Sequence, residues 1–393
     1  MDIKGFKFSA VEAAIKKPGR LDLGLIFSES PAAVAAVYTT NRVKAAPVVL
    51  SRERSAGGKA QALVVNSGNA NACTGRKGLE DALEITRLVA EALGIPDEST
   101  LNASTGVIGV PLPMDRIRVG ITPLIEGLAS GTIEEVARAI MTTDTFPKLE
   151  RRQGKADGRS YTIAGIAKGA GMIMPNMATM LAFLVTDAAV DTAWLGKVFR
   201  DANDSSFNTI TVDGDTSTND SSVILANGAA GNAPLTAESK DALQFVEHLN
   251  EVLLSLARQI VKDGEGATKF VTINVKGAKS DAEARQAAMA IANSSLVKTA
   301  FFGQDANWGR IIAAVGYSGA QVDPDLVDLF FDNVAMTRNG VFAGGDAEAM
   351  GTETMKKRDF SVTVDLKLGE GKATVYTSDL SYEYVKINAD YRT

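Results

Sequence analysis

Apolar residues along the chain follow two different patterns, and these predict both strands and helices. Short apolar runs bounded by turn residues predict strands. These runs are residues 21–28, 32–39, 48–50, 62–65, 161–167 and 270–275. Apolar residues at helical spacing predict helices in residues 79–93, 191–201, 237–262 and 281–293. Residues 360–366 and 373–376 predict a hairpin around the glycines between them.

Residues 168–187 (KGAGMIMPNMATMLAFLVTD) are the stretch on which the functional interpretation depends. The stretch opens with small, flexible residues, is interrupted at Pro175, and then becomes apolar with a single hydroxyl at Thr179. The apolar part predicts a buried strand, and a buried hydroxyl needs a hydrogen-bond partner or a chemical role. Taken alone, the stretch fits a core threonine. The alternative is that Thr179 is a nucleophile.

The single histidine limits which nucleophilic mechanisms are available. His248 has polar neighbours within the predicted helix 237–262, so we expect it on a solvated helix face and not in a Ser–His or Cys–His triad. The single cysteine, Cys73, excludes clustered Cys/His zinc sites. A nucleophile in this chain would therefore use a carboxylate, a lysine or an α-amine as its base. An N-terminal threonine carries its own amine, whose ordinary pKa is about 7.7–8.0.

Composition and charge predict a cytoplasmic protein. The chain has 393 residues, of which 45% are hydrophobic, and this is enough to bury the cores of two domains. Its formal net charge of −6 argues against a nucleic-acid-binding surface. We find no apolar run of the roughly 20 residues that a membrane-spanning helix needs, and the first residues do not resemble a signal peptide. A single cysteine fits a reducing compartment.

Several polar turns are candidates for lining a site. Residues 66–75 (NSGNANACTG) form a loop that could line a site or could be a structural turn held by its own hydrogen bonds. Thr105 and Gly106 form a corner that could aim a hydroxyl and a backbone N–H at an oxyanion. Glu265 lies between two glycines, which predicts a constricted turn. The loop at residues 213–219 lacks the glycine of an EF-hand calcium site, so we expect no metal there.

Long, ordered sequence matches show that the chain resembles the bifunctional ornithine acetyltransferase/glutamate N-acetyltransferase family of arginine biosynthesis. The resemblance extends from Gly5 to Thr393. The matching stretches are TTNRVKAAPV from Thr39, LVVNSGNANACTG from Leu63, STGVIG from Ser104, MTTDTFPK from Met141, residues 168–188, DGEGATKF from Asp263, FGQDANWGRI from Phe302 and INADYRT from Ile387. The resemblance implies an α/β fold with layered sheets and helices in two domains, of the N-terminal-nucleophile-like, self-processing type.

The resemblance also implies that the chain cuts itself between Ala178 and Thr179. The products would be an α chain, residues 1–178, and a β chain, residues 179–393, which begins with the nucleophile Thr179. Two α and two β chains are expected to form a heterotetramer.

Other functional residues of the family map onto positions throughout this chain. The oxyanion pair maps to Thr105 and Gly106, and a further catalytic role maps to Glu265. Substrate contacts are implied for one of the pair Thr142 and Thr143, and for Lys168, Thr179, Glu265, Asn388 and Thr393. Which residue of the threonine pair contacts the substrate is left open.

The implied reaction moves an acetyl group from N-acetylornithine to glutamate through an acetyl-Thr179 intermediate, in a ping-pong mechanism. The resemblance implies no metal and no cofactor. Acetyl-CoA is a possible second acetyl donor, and the sequence leaves its use open. One alternative is a self-processing amidase or aminopeptidase, in which water replaces glutamate. A non-catalytic scaffold is a weaker alternative, because Thr179, Lys168 and Glu265 are all present.

Overall fold

The computed structural model describes residues 3–174 and 180–390, and the chain forms two compact units. The first unit contains the chain up to Asn208 and Asp215–Ile260. The second contains Thr209–Gly214 and the chain from Val261 onward. Each unit has its own sheet, so the predicted α/β class with sheets and helices is confirmed.

Among the described residues, eight strands form the sheet of the first unit, in the order β4-β3-β2-β9-β7-β6-β5, with β1 paired to β2. The strands are β1 (Phe6–Val11), β2 (Leu23–Tyr38), β3 (Lys59–Asn66), β4 (Thr100–Ser104), β5 (Lys148–Ala156), β6 (Arg159–Lys168), β7 (Leu181–Thr186) and β9 (Ser221–Ala226). The helices are α1 (Ala46–Ser55), α2 (Gly75–Leu93), α3 (Met114–Glu126), α4 (Ile133–Ala139), α5 (Thr192–Asp204) and α6 (Ala242–Lys262), the last of which belongs to this unit up to Ile260.

Helices cover both faces of this sheet because its strands are apolar on both sides. On one face, Val136 of α4 shares a buried cluster with Ile26 and Val65. On the other face, α2 and α3 pack on the alternate strand residues, including Leu25 and Val64. Successive residues of a strand point to opposite faces, which places these two clusters on opposite sides of one sheet. Strands β7 and β9 are buried along their whole length, as expected of inner strands.

In the N-terminal region, two predicted strands are present but joined, and a third was wrong. Residues 21–28 and 32–39 contribute to one strand, β2, with a register irregularity near Pro31. The first part of β2 pairs with β1 and the last part with β9, so the proline, which has no N–H, lies between the two ladders. Residues 48–50 belong to helix α1, which has a proline in its first turn. A three-residue apolar run does not distinguish a helix from a strand.

Among the described residues, seven strands form the sheet of the second unit, in the order β13-β12-β11-β14-β10-β15-β8. The strands are β8 (Ile210–Thr211), β10 (Phe270–Ala278), β11 (Asp328–Phe331), β12 (Val334–Arg338), β13 (Val341–Phe342), β14 (Asp359–Asp365) and β15 (Gly371–Ser378). The helices are α7 (Asp281–Asn293), α8 (Ser295–Gly303), α9 (Trp308–Gly316), α10 (Ala347–Lys356) and α11 (Tyr382–Asp390).

The predicted hairpin near the C-terminus was wrong, although both of its strands are present. β14 and β15 do not pair with each other, since β10 lies between them, parallel to β14 and antiparallel to β15. Ile273 of β10 stands opposite both Val362 and Val375, and all three side chains are buried in one core. Burial of the apolar side chains of β10 between the two strands therefore overrides the short connection between β14 and β15.

The long predicted helices are confirmed, with one correction at the histidine. Residues 281–293 are α7, and most of residues 237–262 are α6. His248 is half-buried, and its Nδ1 lies 3.1 Å from the phenol oxygen of Tyr161. The prediction that His248 lies on a solvated helix face was therefore wrong. In the described part of the chain, no helix combines the length and the apolar character that crossing a membrane requires.

Candidate functional site

The corner at Thr105 and Gly106 is built at the end of two parallel strands. β3 ends at Asn66 and β4 ends at Ser104, which stand opposite each other. The hydroxyl of Ser104 donates to Asn66 Oδ1 at 2.6 Å, and the backbone N–H of Thr105 donates to the Asn66 carbonyl at 2.9 Å. These hydrogen bonds fit the interpretation of residues 66–75 as a structural turn. The first residue of the loop, Asn66, also shapes the predicted oxyanion corner.

Gly106 is required at this corner because two backbones meet there. Its φ of +132° lies in the region that favours glycine. A Cβ atom on residue 106 would stand 2.4 Å from the carbonyl carbon of Gly68 and 2.5 Å from the backbone nitrogen of Asn69. Within residues 3–174 and 180–390, the backbone N–H of Gly106 donates no hydrogen bond. The corner therefore offers the Gly106 N–H and the Thr105 hydroxyl, while the Thr105 N–H is already used.

Lys168 joins this corner from the end of strand β6. Its ammonium donates to Thr105 Oγ1 at 3.3 Å, and both side chains are buried. The Thr105 hydroxyl, which accepts this bond, keeps its own hydrogen for donation to another group. Lys168 stands opposite Leu181 in the antiparallel pairing of β6 with β7. The two ends of the connection that contains Ala178 and Thr179 are thus held beside the corner.

A buried ion pair fixes the backbone next to Lys168. Asp144 Oδ1 accepts from Lys148 Nζ at 2.6 Å and from the Gly169 N–H at 2.7 Å, and Oδ2 accepts from the Thr142 N–H at 3.0 Å. Burial alone would raise the pKa of the Asp144 carboxyl, but the charges of Lys148 and Lys168 outweigh burial and hold this pKa at about 2. Asp144 is therefore an anion at neutral pH.

Cationic side chains surround a pocket next to this ion pair. The pocket has a volume of about 640 Å³ and its lining includes Lys17, Arg20, Arg138, Thr142 and Asp144. The charge of Asp144 is balanced by Lys148, so the pocket presents a net positive field to a ligand. Thr142 lines this pocket, and Thr143 is not among its lining residues.

In the second unit, Glu265 and Asn388 are brought together. Asn388 Nδ2 donates to Glu265 Oε2 at 2.8 Å, and the Glu265 side chain is buried. The turn is constricted as predicted, because a Cβ atom on Gly266 would stand 2.6 Å from the backbone nitrogen of Tyr384. Helix α11 is thereby tied to the Glu265 turn, through its own Asn388.

Three predicted site residues, Ala178, Thr179 and Thr393, lie outside the described residues. The described residues fall into two groups. Thr105, Gly106 and Lys168 meet in the first unit, where Asp144 also holds the backbone of Thr142. Glu265 and Asn388 meet in the second unit.

Sequence reasoning missed Asn219 and Asp220, which lie next to the Thr105–Gly106 corner. Asn219 Nδ2 donates to the carbonyl of Ser104 at 2.8 Å and to that of Ala70 at 2.6 Å. Asp220 follows directly and is buried. The sequence signal for them is the polar stretch TSTND, which ends with these two residues. Asp144 was also missed as a single residue, although it is the one acid in the family-like stretch MTTDTFPK.

Replacement of Asp144 tests how much the buried ion pair contributes. Asp144→Asn leaves the Lys148 ammonium buried without its counter-charge, so we expect it to lower the free energy of unfolding by about 3–5 kcal/mol at neutral pH. The folded pKa is lower than the unfolded value of about 3.9, so the contribution is present above about pH 4 and is lost as the pH falls toward 2. The difference between variant and wild type should therefore shrink on acidification.

Urea unfolding followed by circular dichroism at neutral and acidic pH measures this difference. Glu91→Gln, which disrupts an exposed ion pair with Arg87, is the matched control and should change stability little. Equal stability losses in the two variants would contradict the assignment.

Comparisons with known proteins agree with the resemblance read from the sequence. The model of the ArgJ family matches residues 7–393. The chain is 71% identical over 393 residues to the arginine biosynthesis bifunctional protein ArgJ of Geobacter sulfurreducens, with 100% of both chains covered. It is 55% identical over 391 residues to the protein of the same name from Syntrophotalea carbinolica, with 100% of this chain and 99% of that protein covered.

A solved structure supports the same assignment. The arginine biosynthesis bifunctional protein argJ of Bacillus halodurans matches with a TM-score of 0.53 and 43% identity, and the match covers 54% of this chain and 100% of that chain. The sequence and structural likenesses together confirm the resemblance. The chain belongs to the ArgJ family, a family of acyltransferases of arginine biosynthesis.

Proposed function

We propose that this protein transfers an acetyl group from N-acetylornithine to glutamate through an ester on Thr179. The observation that carries the proposal is the corner in which the Thr105 hydroxyl, the Gly106 N–H and the Lys168 ammonium lie together. This corner adjoins the ends of the β6–β7 connection, which contains Thr179 in the sequence. Oxyanion donors beside a nucleophile are what acyl transfer requires.

The first step of the proposal is self-cleavage between Ala178 and Thr179. The Thr179 hydroxyl attacks the Ala178 carbonyl, the acyl group moves from nitrogen to oxygen, and water hydrolyses the ester. Strands β6 and β7 are hydrogen-bonded neighbours on either side of this bond, so the sheet would hold both products after the cut. The Bacillus halodurans chain is covered in full although it matches 54% of this chain, and this supports a division of the protein into two chains.

The second step is acetyl transfer. The Thr179 hydroxyl attacks the acetyl carbonyl of N-acetylornithine, and the new α-amine of the same residue acts as the base. Thr105 and Gly106 donate to the oxyanion, and each such donor is typically worth about 2.7–4 kcal/mol. Lys168 strengthens the Thr105 hydroxyl as a donor, because that hydroxyl accepts from an ammonium. Ornithine leaves, glutamate enters, and the acetyl group passes to its amine.

The charge of the cationic pocket fits the two substrates. N-acetylornithine and glutamate both carry an α-carboxylate, and the pocket that Thr142 lines contains Lys17, Arg20 and Arg138. We assign Thr142 to substrate contact and keep Lys168 as a second carboxylate-binding residue. Glu265, Asn388 and Thr393 remain substrate contacts in the proposal, with Glu265 also available to hold the Thr179 amine.

The wider activity and assembly are part of the same proposal. We propose that acetyl-CoA serves as a second donor for glutamate, which would account for the word bifunctional in the names of the relatives. No resident cofactor is needed for either transfer. The expected assembly is a heterotetramer of two α and two β chains, working in the cytoplasm.

Substitution of the nucleophile tests the whole proposal. Thr179→Ala removes the only hydroxyl that can both cut the chain and carry the acetyl group, so the variant should stay a single chain of 41.3 kDa and transfer no acetyl. Thr179→Ser keeps a hydroxyl and should still be cut. Intact mass and an ornithine-release assay measure both outcomes. A Thr179→Ala protein that is cut, or that transfers acetyl, would refute the proposal.

Incubation with one substrate distinguishes a transferase from an amidase. With N-acetylornithine alone, the transferase should release ornithine only to the extent of one acetyl group per β chain, and that chain should gain the mass of an acetyl group. Glutamate should then remove the label as N-acetylglutamate. Continuous release of free acetate without glutamate would instead show that water is the acceptor.

Thr105 provides a test of the oxyanion corner. Thr105→Ala removes one donor and should lower kcat for acetyl transfer, per cut chain, by about 10²–10³-fold. Thr105→Ser retains the hydroxyl and should lose much less. Steady-state kinetics on protein whose cleavage has been verified by mass would check this, and equal rates for the alanine and serine variants would exclude the donor role.

A further inference from the structure

Asp379 is a buried carboxyl in the second unit that the proposed function does not use. It directly follows the last residue of β15, and it is 3% exposed. Its Oδ1 accepts from the backbone N–H groups of Thr268 at 2.8 Å and Lys269 at 2.9 Å. Its Oδ2 accepts from the Thr268 hydroxyl at 2.5 Å. Asp379 therefore fixes the end of the turn that presents Glu265.

The residues after β15 also hold the start of this turn. The Ser381 hydroxyl donates to the Gly266 carbonyl at 2.7 Å and accepts from the Tyr384 N–H at 3.3 Å. Farther along α11, Asn388 Nδ2 donates to Glu265 Oε2 at 2.8 Å. The Glu265 turn is thus held at both ends by one continuous stretch of chain, which runs from the end of β15 into α11.

A buried lysine of helix α8 anchors this stretch. Lys298 is 3% exposed, and its Nζ donates to the carbonyl of Ser378, the residue before Asp379. Burial lowers the pKa of the Lys298 amine to about 7, against the charges of Asp379 and Asp213. Asp213 in turn accepts from the Tyr384 hydroxyl of α11 at 3.2 Å. The stretch is therefore fixed at its start and within α11, and the bonds of Asp379 extend this anchoring to the Glu265 turn.

The turn that presents Glu265 is closed by a hydrogen bond of its own. The Ala267 N–H donates to the Gly264 carbonyl at 2.8 Å, which encloses Glu265 in a four-residue turn. The next residue, Thr268, is the one that Asp379 holds by two hydrogen bonds. A buried N–H that loses its partner is costly, so the closed turn would shift if Asp379 were removed. The Glu265 carboxyl would shift with it.

We propose that Asp379 is a positioning residue for acetyl transfer, and that it acts by fixing where the Glu265 carboxyl lies. Asp379 itself does not contact the substrate. The inference rests on the proposed function, in which Glu265 is a substrate contact, and goes beyond it by naming the side chain that determines the position of Glu265. A displacement of about 1 Å at a substrate-binding group can cost about 10²-fold in rate, so the effect is large enough to measure.

Replacement of Asp379 tests the assignment. Asp379→Ala removes all three bonds to the turn and should lower kcat/KM for N-acetylornithine by about 10–10²-fold. Asp379→Asn keeps an oxygen that accepts from the two N–H groups and an amide that donates to the Thr268 hydroxyl, so it should recover most of this loss. Steady-state kinetics on protein whose cleavage has been verified by intact mass measure both variants.

Asp332→Ala is the matched control. Asp332 Oδ1 accepts from the N–H of Ser361 at 2.8 Å and from its hydroxyl at 3.1 Å, the same kinds of bond that Asp379 accepts. Its partners, Ser361 and Lys357, belong to the same unit but lie outside the Glu265 turn. This variant should keep kcat/KM within about twofold of the wild type.

A double-mutant cycle separates positioning from a general loosening of the unit. Glu265→Ala removes the carboxyl whose position matters and should lower kcat/KM by itself. If Asp379 acts through Glu265, then adding Asp379→Ala to this variant should cost no more than about twofold. If the loss of Asp379 instead loosens the whole unit, the two single losses should multiply in the double variant.

A milder variant keeps the test decisive if Asp379→Ala does not fold. Thr268→Val removes only the hydroxyl that donates to Asp379 Oδ2 and leaves both N–H bonds in place. It should lower kcat/KM by about 2–10-fold, the range expected for the loss of one hydrogen bond. The same cycle with Glu265→Ala is then run on this variant.

Two results would overturn the assignment and leave the ester on Thr179 intact, because acetylation of the β chain is measured separately by mass. The first is a kcat/KM for Asp379→Ala, or for Thr268→Val in its place, that equals that of the Asp332→Ala control. The second is losses that multiply in the double variant when thermal unfolding shows that every variant is folded. A Glu265→Ala enzyme with wild-type kinetics would instead refute the Glu265 contact of the proposed function, and this inference with it.

Discussion

The antiparallel pairing of β6 with β7 is the constraint on which the first unit depends. It places Lys168 opposite Leu181, so the two ends of the connection between them are fixed side by side in the sheet. β7 continues the sheet to β9, whose first residues follow Asn219 and Asp220. A backbone break inside the connection would remove no hydrogen bond of this ladder. A sheet of this kind can therefore lose a covalent bond and keep its geometry.

Two buried carboxyls near this connection, Asp144 and Asp220, have pKa values shifted in opposite directions because their surroundings differ. Asp144 is an anion because two lysines lie beside it, and its charge orders the backbone of Thr142 and Gly169. Asp220 is equally buried, but its neighbours are mainly hydroxyls and a backbone amide, so burial dominates and raises its pKa.

Periodicity predicted many elements of the fold, and its failures have a common cause. Residues 281–293 were identified as a helix with the bounds that the structure gives. The strands at residues 360–366 and 373–376 were found, but their pairing was not, because β10 enters between them. The short apolar run at residues 48–50, which predicts a strand, lies in helix α1. The pattern of apolar residues along a segment indicates the backbone conformation that the segment prefers. The order of strands in a sheet depends instead on which apolar surfaces are buried together.

For the candidate site, the sequence by itself determined the family and the chemistry of the turn residues. A lone histidine pointed away from a histidine triad, and ordered motifs identified Thr105, Gly106, Lys168 and Glu265. Only the tertiary structure decided that Lys168 contacts Thr105, that Asn388 contacts Glu265, and that the pKa values of Asp144 and Asp220 shift in opposite directions. The physical reason is that hydrogen bonds and pKa values depend on burial and on charges brought from distant parts of the chain, which no local pattern encodes.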